Sequence, residues 1–202
     1  MARIYATLKR QVVTGAFEPG ARLDPARLKD NLAASTMPIR DALQRLTGEG
    51  LVENSLNEGF RVVQLTDAGV RDLYDWCADL CHLCLRRADR LGGAPRPDVR
   101  ESGIYAEEVT RMLLRIASLS PNHEHRRAMI SLCERSYQLR TVEEKLLADP
   151  PDLNLIKSAL DRREWPSASE QLDRFHAARI AIMPAIAANL RAHSTSNRSD
   201  IF

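Results

Sequence analysis

The sequence predicts a mostly α-helical protein with a small β-hairpin near its N-terminus. Three observations lead to this fold class. Apolar residues recur at helical spacing over most of the chain. Strand-like segments separated by turn residues are confined to residues 51–63. The 202 residues include no long uncharged apolar run, so no membrane span is expected.

Two short helices form the centre of the N-terminal domain, which spans residues 1–66. The first follows Asp24, whose carboxylate caps a helix that begins at Pro25. After a turn of small residues, the second helix begins at a cap formed by Ser35 or Thr36. It carries its apolar residues on one face: Ile39, Leu43 and Leu46. The opposite face therefore points away from the core, as a helix that enters a DNA groove requires.

Two short strands follow this pair of helices. Gly48 and Gly50 are expected to end the second helix. Residues 51–53 and 60–63 have the pattern of strands joined across residues 57–59. The combination is a winged helix-turn-helix, in which the hairpin is the wing.

Five blocks of this domain match a known family in order and spacing: residues 4–15, 17–23, 37–43, 49–53 and 59–62. They resemble the amino-terminal domain of GntR-family bacterial transcription regulators. The resemblance implies a repressor that binds double-stranded DNA at a pseudo-palindromic operator, as a homodimer, in the cytoplasm. The sequence departs from the family at Thr36, where an arginine is usual, so the operator is expected to differ.

The expected DNA contacts lie on the second helix, beside it and on the wing. They are Arg27, Ser35, Thr36, Met37, Pro38, Arg40, Gln44, Arg45, Asn57, Gly59 and Arg61. Arg40 projects from the first turns of the helix, where such proteins reach base edges or phosphates. Gly59 lets the wing backbone approach DNA because it has no Cβ. Two alternatives stay open: Ser35 acts only as a helix cap, and Arg45 only pairs with Glu49.

The rest of the chain is predicted to form an antiparallel all-α bundle over residues 67–193, followed by a polar, frayed tail over residues 194–202. Thr66 caps the first helix, which runs to about Leu91. A break is expected over residues 92–97. Four further helices are expected over residues 99–119, 123–147, 153–163 and 167–191. Pro184 is expected to kink the last one.

Residues 153–175 resemble part of the FCD ligand-binding domain of the FadR subfamily, in which four side chains bind a metal ion. Here the corresponding positions hold Val109, Leu113, Leu153 and Phe175. None of these side chains offers an N, O or S donor. We therefore expect no metal and no cofactor, and an apolar pocket for a small-molecule effector at these four residues. The polar groups expected beside them are Arg111, Arg115, Tyr137, Arg140 and His176. The alternative is an alignment shifted by one residue, in which His176 rather than Phe175 occupies the family's metal position.

Three cysteines, Cys77, Cys81 and Cys84, share one face of the first bundle helix. As small buried apolar residues, they are expected to have raised thiol pKa values and to react slowly. The alternative is a redox or soft-metal sensor completed by Cys133 or His82, with the same DNA-binding domain. Four cysteines without a signal-like N-terminus indicate reduced thiols in a cytoplasm.

Composition and motifs limit the other function classes. The formal net charge is only +2, so charge alone does not indicate a nucleic-acid-binding protein. No Ser-His-Asp set, paired carboxylates or phosphate-binding loop stands out in the sequence. The sequence therefore does not predict an enzyme.

Overall fold

The computed structural model describes residues 2–56, 58–92, 103–147 and 151–196. The chain divides into two compact units. One consists of residues 66–187, and the other consists of residues up to 65 together with those from 188 onward. The sequence places the limits of the helical domain at residues 67 and 193 instead.

The N-terminal unit begins with three helices and a hairpin: α1 (Ala2–Val13), α2 (Pro25–Leu32), α3 (Thr36–Gly48), β1 (Val52–Ser55) and β2 (Gly59–Val62). The predicted cap of α2 is confirmed, because the Asp24 carboxylate accepts a hydrogen bond from the Ala26 N–H at 2.8 Å. Ala33 ends α2 in the left-handed region, with φ 47°. Its small side chain makes this strained conformation tolerable in the tight turn before α3.

The wing is a two-stranded antiparallel sheet in which Val52 faces Val62. The predicted strands, residues 51–53 and 60–63, are displaced from the observed ones. Leu51 lies outside β1 because its N–H donates to the Leu46 carbonyl and so completes the C-terminal end of α3. The hairpin tip predicted at Asn57 lies outside the described residues.

A single apolar cluster supports this unit. Its buried members include Leu8 and Val12 of α1, Leu28 of α2, and Val52 and Val62 of the wing. The predicted core face of α3 is confirmed, since Ile39, Leu43 and Leu46 are all 0% exposed. The apolar spacing along α3 therefore fixes which face of this helix points outward.

The second part of the chain is helical: α4 (Asp67–Leu91), α5 (Tyr105–Ser118), α6 (His123–Arg135), α7 (Tyr137–Leu146), α8 (Leu153–Arg162) and α9 (Trp165–Ser196). Thr66 caps α4 as predicted, because its hydroxyl accepts a hydrogen bond from the Gly69 N–H at 3.0 Å. Gly92 ends α4 with φ 66°. The rest of the predicted break, residues 93–97, lies outside the described residues.

The predicted single helix over residues 123–147 is wrong, because helical structure is interrupted at Ser136. The buried Ser136 hydroxyl donates to the Leu132 carbonyl at 2.6 Å. The Arg140 guanidinium in turn donates to the Ser136 hydroxyl at 2.7 Å and to the Cys133 carbonyl at 2.6 Å. Side-chain hydrogen bonds thus stabilise the break between α6 and α7.

The limits of α5 and α9 also differ from the predictions. Helix α5 begins at Tyr105 rather than residue 99; Gly103, two residues before it, has φ 70°, which a right-handed helix does not accommodate. Helix α9 begins at Trp165, with Pro166 in its first turn, where a missing N–H has no cost. It extends to Ser196, so the first three residues of the predicted frayed tail are helical. Residues 197–202 lie outside the described part.

The core of the bundle collects buried side chains from α4, α5, α6, α8 and α9. The three clustered cysteines, Val109, Leu113 and Phe175 all belong to it. Pro184 lies within α9, and the kink expected there stays a prediction. In the described part of the chain, no helix combines the length and the hydropathy that crossing a membrane would require.

Candidate functional site

Helix α3 presents an exposed face opposite its buried one. Thr36, Met37, Arg40 and Gln44 are exposed on it, and Met37 keeps 68% of its surface accessible. Within the described residues, the side chains of Arg40 and Gln44 form no hydrogen bond or ion pair. Their donors and acceptors are therefore available to a ligand, and a DNA base edge or phosphate fits both residue types.

Arg45 lies on the same helix but has partners within the protein. Its guanidinium stacks 3.8 Å from the centre of the Tyr5 ring, and its Nε lies 3.4 Å from Glu49 Oε1. The Tyr5 hydroxyl donates to the same oxygen at 2.5 Å, and Lys9 Nζ lies 2.9 Å from Glu49 Oε2. This cluster, the Glu49 cluster, joins α1 to the C-terminal end of α3. The i,i+4 pairing of Arg45 with Glu49 predicted as an alternative is thus present.

The environment of Glu49 changes its acidity. Burial alone would raise the pKa of this carboxyl group, but the hydrogen bonds from Tyr5 and Lys9 outweigh burial, so the pKa is lowered. Burial and the hydrogen bond to Glu49 raise the pKa of the Tyr5 hydroxyl. Glu49 is therefore an ionised acceptor at neutral pH, and it holds three donors in place.

The other predicted DNA-contact residues differ in exposure and in whether they already bind partners within the protein. Ser35 is exposed and occupies the predicted N-cap position of α3, but its side chain makes no capping hydrogen bond, and its contact with DNA stays a prediction. Arg27 is exposed on α2, and Pro38 is half-buried in the first turn of α3. Arg61 donates from Nη1 to the Gly20 carbonyl at 3.1 Å and from Nε to Glu58 Oε2 at 3.0 Å, so its guanidinium supports the base of the wing.

The wing tip is open. Gly59 has φ 70°, and a Cβ at this position would meet nothing within 4 Å. Leu56, which the sequence analysis did not single out, is fully exposed beside it. A leucine at a hairpin tip is a sequence signal that was available, since turns are normally polar.

The apolar positions of the predicted effector pocket lie in one cluster of the bundle. Val109, Leu113 and Phe175 are 0% exposed, and half-buried Leu153 packs against the same cluster. Their side chains carry no metal-binding atom, so these residues do not fit the metal ion of the FadR subfamily.

The predicted polar partners of this pocket have different roles. Arg111 is bound by Glu108, and Arg115 is bound by Asp161. Arg140 is completely buried and, besides its two bonds at the break before α7, donates to Thr110 Oγ1 at 3.0 Å and to the Ala106 carbonyl at 3.3 Å. No carboxylate lies within 4.0 Å of Arg140 among the described residues. Its charge is thus solvated only by neutral acceptors.

A buried ion pair in the same bundle was missed by the sequence analysis. Glu143 and Arg179 are 0% and 1% exposed, and two hydrogen bonds of 3.0 and 3.1 Å join them. The hydroxyls of Tyr74 and Tyr105 donate to the same carboxylate at 2.6 and 3.3 Å. Burial raises the pKa of both tyrosines, so they remain donors. The sequence signal for this ion pair was Glu143, a glutamate among the apolar residues of α7.

The cysteine face of α4 meets the last helix. One donor atom from each of Cys77, Cys81 and His176 lies within 4.8 Å of the other two. His176 is 7% exposed, and neither ring nitrogen has a partner among the described residues. Burial, reinforced by the charge of Arg179, lowers the pKa of His176 to about 3, so the imidazole is neutral.

The predicted partners of these cysteines are engaged elsewhere or lie outside this group. His82 contacts Ser169 Oγ at 3.1 Å and Asp173 Oδ1 at 2.9 Å. Cys133 is buried but is not one of the three converging residues. The sequence assigned His176 to the effector pocket and therefore missed its position beside the cysteines.

The four thiols differ in acidity. Burial raises the pKa of Cys84 to about 11, as predicted, and it also raises the pKa of Cys133 to about 12. The hydrogen bond with Cys77 raises the pKa of Cys81. The same hydrogen bond lowers the pKa of Cys77 to about 7, so the prediction of a raised value is wrong there. One proton of the pair is therefore released more readily than that of an isolated buried thiol.

Comparisons with known proteins identify the family to which the chain is related. A family model described as bacterial regulatory proteins, gntR family, matches residues 1–62. The Nta operon transcriptional regulator of Aminobacter aminovorans is 30% identical over 163 residues, which cover 73% of this chain and 78% of that protein. The HTH-type transcriptional regulator YdhC of Bacillus subtilis is 32% identical over 72 residues, covering 36% of this chain and 32% of that protein. The HTH-type transcriptional repressor GlaR of Escherichia coli is 29% identical over 89 residues, covering 44% and 40%.

Two solved structures share the fold. E. coli McbR/YncC aligns with a TM-score of 0.69 and 19% identity, over 91% of this chain and 96% of that chain. A GntR protein of Rhodococcus sp. RHA1 aligns with a TM-score of 0.69 and 20% identity, over 91% and 97%. The predicted mostly α fold with a small wing is thereby confirmed. The match of the first domain, together with the relative aligned over most of both chains, shows that this chain belongs to the GntR family of bacterial transcription regulators.

Proposed function

We propose that the protein is a cytoplasmic repressor that binds a pseudo-palindromic DNA operator as a homodimer. The observation that carries this proposal is the exposed face of α3, where Arg40 and Gln44 have no partner among the described residues. On an ordinary surface helix, polar side chains of this kind are paired or solvated and share no particular face. Here Arg40 and Gln44 lie on one face together with Thr36 and Met37. An arginine and a glutamine on a docked helix match guanine and adenine edges, respectively.

The other predicted contact residues are assigned weaker or indirect contributions to DNA binding. Arg27, Ser35 and Pro38 lie beside the exposed face and would contact the phosphate backbone or the groove wall. Arg45 and Arg61 are held by Glu49 and Glu58, so we assign them a positioning role and contacts to phosphates only. Gly59 and Asn57 complete the set on the wing. Thr36 cannot make the contacts of the arginine that is usual in the family. The operator preference of this protein therefore differs from that of relatives that carry the arginine.

Homodimerisation is proposed because one short helix contacts too few base pairs for specific binding. A second copy related by two-fold symmetry doubles the contacted sequence, and the symmetry of the operator follows. The repressor activity is proposed from the family likeness; the related GlaR protein is named a repressor.

We further propose that the helical unit is of the FCD type and binds a small-molecule effector. Val109, Leu113, Leu153 and Phe175 supply its apolar contacts, and Tyr137 and His176 its polar ones. Arg111, Arg115 and Arg140 contribute less, because Glu108, Asp161 and, for Arg140, neutral acceptors of the bundle already hold their guanidinium groups. The effector changes DNA affinity only as far as it binds the two conformational states of the protein differently.

The test begins with sequencing of genomic fragments that the purified protein retains. Binding of the selected duplex is then measured by fluorescence anisotropy for wild type and for Arg40→Ala. Loss of one base or phosphate contact costs about 1–3 kcal/mol, which is about 5- to 150-fold in affinity. Because Arg40 is exposed and unpaired, its replacement should leave the melting temperature unchanged.

The matched control is Arg126→Ala, which removes an exposed arginine of α6 in the helical unit. It should bind the operator like wild type. Equal affinity of wild type and Arg40→Ala would show that α3 is not the recognition helix. A fall in affinity with Arg126→Ala as large as that with Arg40→Ala would show that the effect comes from net charge.

A further inference from the structure

Three soft or borderline metal donors converge inside the bundle, and none of them belongs to the four apolar positions of the subfamily's metal site. Cys77 and Cys81 stand one turn apart on α4, so their side chains share a face. His176 approaches from α9, and the three donor atoms lie within 4.8 Å of one another. An ion with bonds of about 2.3 Å to sulfur and 2.0 Å to nitrogen holds trigonal donors about 4 Å apart. A small inward shift of the side chains closes the site.

A role in packing alone does not explain the presence of a histidine at position 176. Both ring nitrogens are buried and have no hydrogen-bond partner among the described residues. A neutral imidazole has one donor and one acceptor, and buried groups of this kind are nearly always paired. A leucine or methionine would fill the same volume without this cost. The unshared electron pair of the imidazole is, however, what a metal ion requires.

The buried charges near the site favour a complex with net negative charge. Apart from the cysteine thiols, the fully buried charged side chains among the described bundle residues are Arg140, Arg179 and Glu143. Glu143 pairs with Arg179 and also acts electrostatically on Arg140, which donates hydrogen bonds only to neutral acceptors, so these three side chains together carry a net charge of +1. The Arg179 Nη1 atom also lacks an acceptor there.

We propose that Cys77, Cys81 and His176 form a binding site for a monovalent copper ion. On binding, both thiols release their protons to solvent, and the ion bonds to two thiolate sulfurs and one imidazole nitrogen. Two thiolates and one monovalent ion give a complex of charge −1, which balances the net positive charge of Arg140, Arg179 and Glu143. Thiolates select monovalent copper, which accepts three ligands. Divalent zinc fits less well, because it requires a fourth ligand and would leave the complex neutral.

The experiment is an anaerobic competition for monovalent copper between the full-length protein and a chromogenic copper(I) chelator. Wild type should remove one ion per chain from the chelator and develop thiolate-to-copper charge-transfer absorption. Cys77→Ala, Cys81→Ala and His176→Leu should each weaken binding by more than about 100-fold, since even indirect partners of metal ligands change affinity about 10- to 100-fold. His176→Leu removes two unpaired nitrogens, so this variant is expected to fold.

The matched control is Cys84→Ala, which removes an equally buried thiol from the next turn of the same helix. It should bind copper like wild type. Equal weakening by Cys84→Ala would overturn the proposed ligand set, and failure of wild type to compete for copper would overturn the site. Tight binding of zinc with no binding of copper would overturn the assignment of the ion.

A measurement on the wild-type protein alone tests the ligand set without depending on the folding of any variant. X-ray absorption of the copper-loaded protein should show two sulfur neighbours and one nitrogen neighbour per ion, and copper should raise the melting temperature. A shell of sulfur atoms alone would exclude His176 and overturn the proposal. This inference does not rest on the proposed function, because metal binding is measured without DNA.

Discussion

At the level of single residues, Glu143 is the only carboxylate among the described side chains that are buried in the bundle. It binds Arg179 through both oxygens and accepts hydrogen bonds from Tyr74 and Tyr105. Replacing one partner of a buried ion pair leaves the other charge without compensation. Here the loss affects two buried guanidinium groups, because Arg140 has no carboxylate of its own.

Glu143→Gln is therefore expected to lower the free energy of unfolding by about 3–5 kcal/mol. Urea unfolding followed by circular dichroism measures the change. The matched control is Glu144→Gln, which alters the exposed neighbouring residue and should have an effect within about 0.5 kcal/mol. If both variants lose the same small amount, the buried network does not stabilise the bundle.

Single residues also show what sequence reasoning can and cannot find. The outward position of Arg40 follows from the spacing of Ile39, Leu43 and Leu46, because helical periodicity relates neighbours on one helix. The ion pair of Glu143 with Arg179 joins residues 36 positions apart, and no periodicity relates them. For the same reason, the meeting of His176 with Cys77 and Cys81 was not predicted, although each residue was singled out.

At the level of elements, the Glu49 cluster fixes α3 to α1. Because the folded pKa of Glu49 is lowered, its interactions stabilise the fold at pH values above the unfolded pKa, which is about 4.3. This stability is lost as the pH falls through the folded pKa, when the carboxylate becomes protonated. At neutral pH the contribution is present in full.

Glu49→Gln should lower the free energy of unfolding at pH 7 by about 0.5–1 kcal/mol, the value of a partly exposed charge cluster. The difference from wild type should shrink as the pH is lowered below about 4. Denaturant unfolding at several pH values tests this, with Glu53→Gln on the exposed face of β1 as the control. A difference that does not depend on pH would mean that packing, rather than charge, connects α1 and α3.

Two glycines in one domain should respond oppositely to the same substitution. Gly48 is helical, and Gly59 has φ 70°; a Cβ would meet nothing within 4 Å at either position. Gly48→Ala should stabilise the protein by about 0.5–1 kcal/mol, because alanine loses less conformational entropy in a helix. Gly59→Ala should destabilise it by about 1–2 kcal/mol, because the left-handed region is strained for an L-residue. Equal signs in urea unfolding would contradict the wing conformation.

Helix limits were predicted best where a local cap determines them. Asp24 and Thr66 cap α2 and α4 as the sequence indicates, since the cap and the N–H that it binds are two or three residues apart. The break at Ser136 was missed because Arg140 stabilises it through tertiary contacts with α5 as well. The strand displacement at Leu51 has a similar origin, since the residue completes α3.

At the level of the whole molecule, the proposed homodimer makes a geometric prediction about DNA. Light scattering in solution should give twice the 22.7 kDa mass of one chain. The selected DNA should contain two inverted half-sites whose centres lie about 10 base pairs, or a multiple of this, apart. Inserting about 5 base pairs between them turns one half-site to the opposite side of the duplex and should abolish tight binding. Undiminished binding to this duplex would contradict a rigid two-fold dimer.

The separation within α3 between exposed, unpaired residues and supporting ones has an evolutionary consequence. Thr36, Met37, Arg40 and Gln44 have no structural duty in the described part of the domain, and exposed positions of this type tolerate exchange within about 0.5 kcal/mol. Arg45, Glu49 and Tyr5 are mutually dependent and cannot change one at a time without cost. Under the recognition role proposed for α3, a lineage of such regulators can therefore acquire new target genes through a few surface substitutions while its scaffold stays under purifying selection.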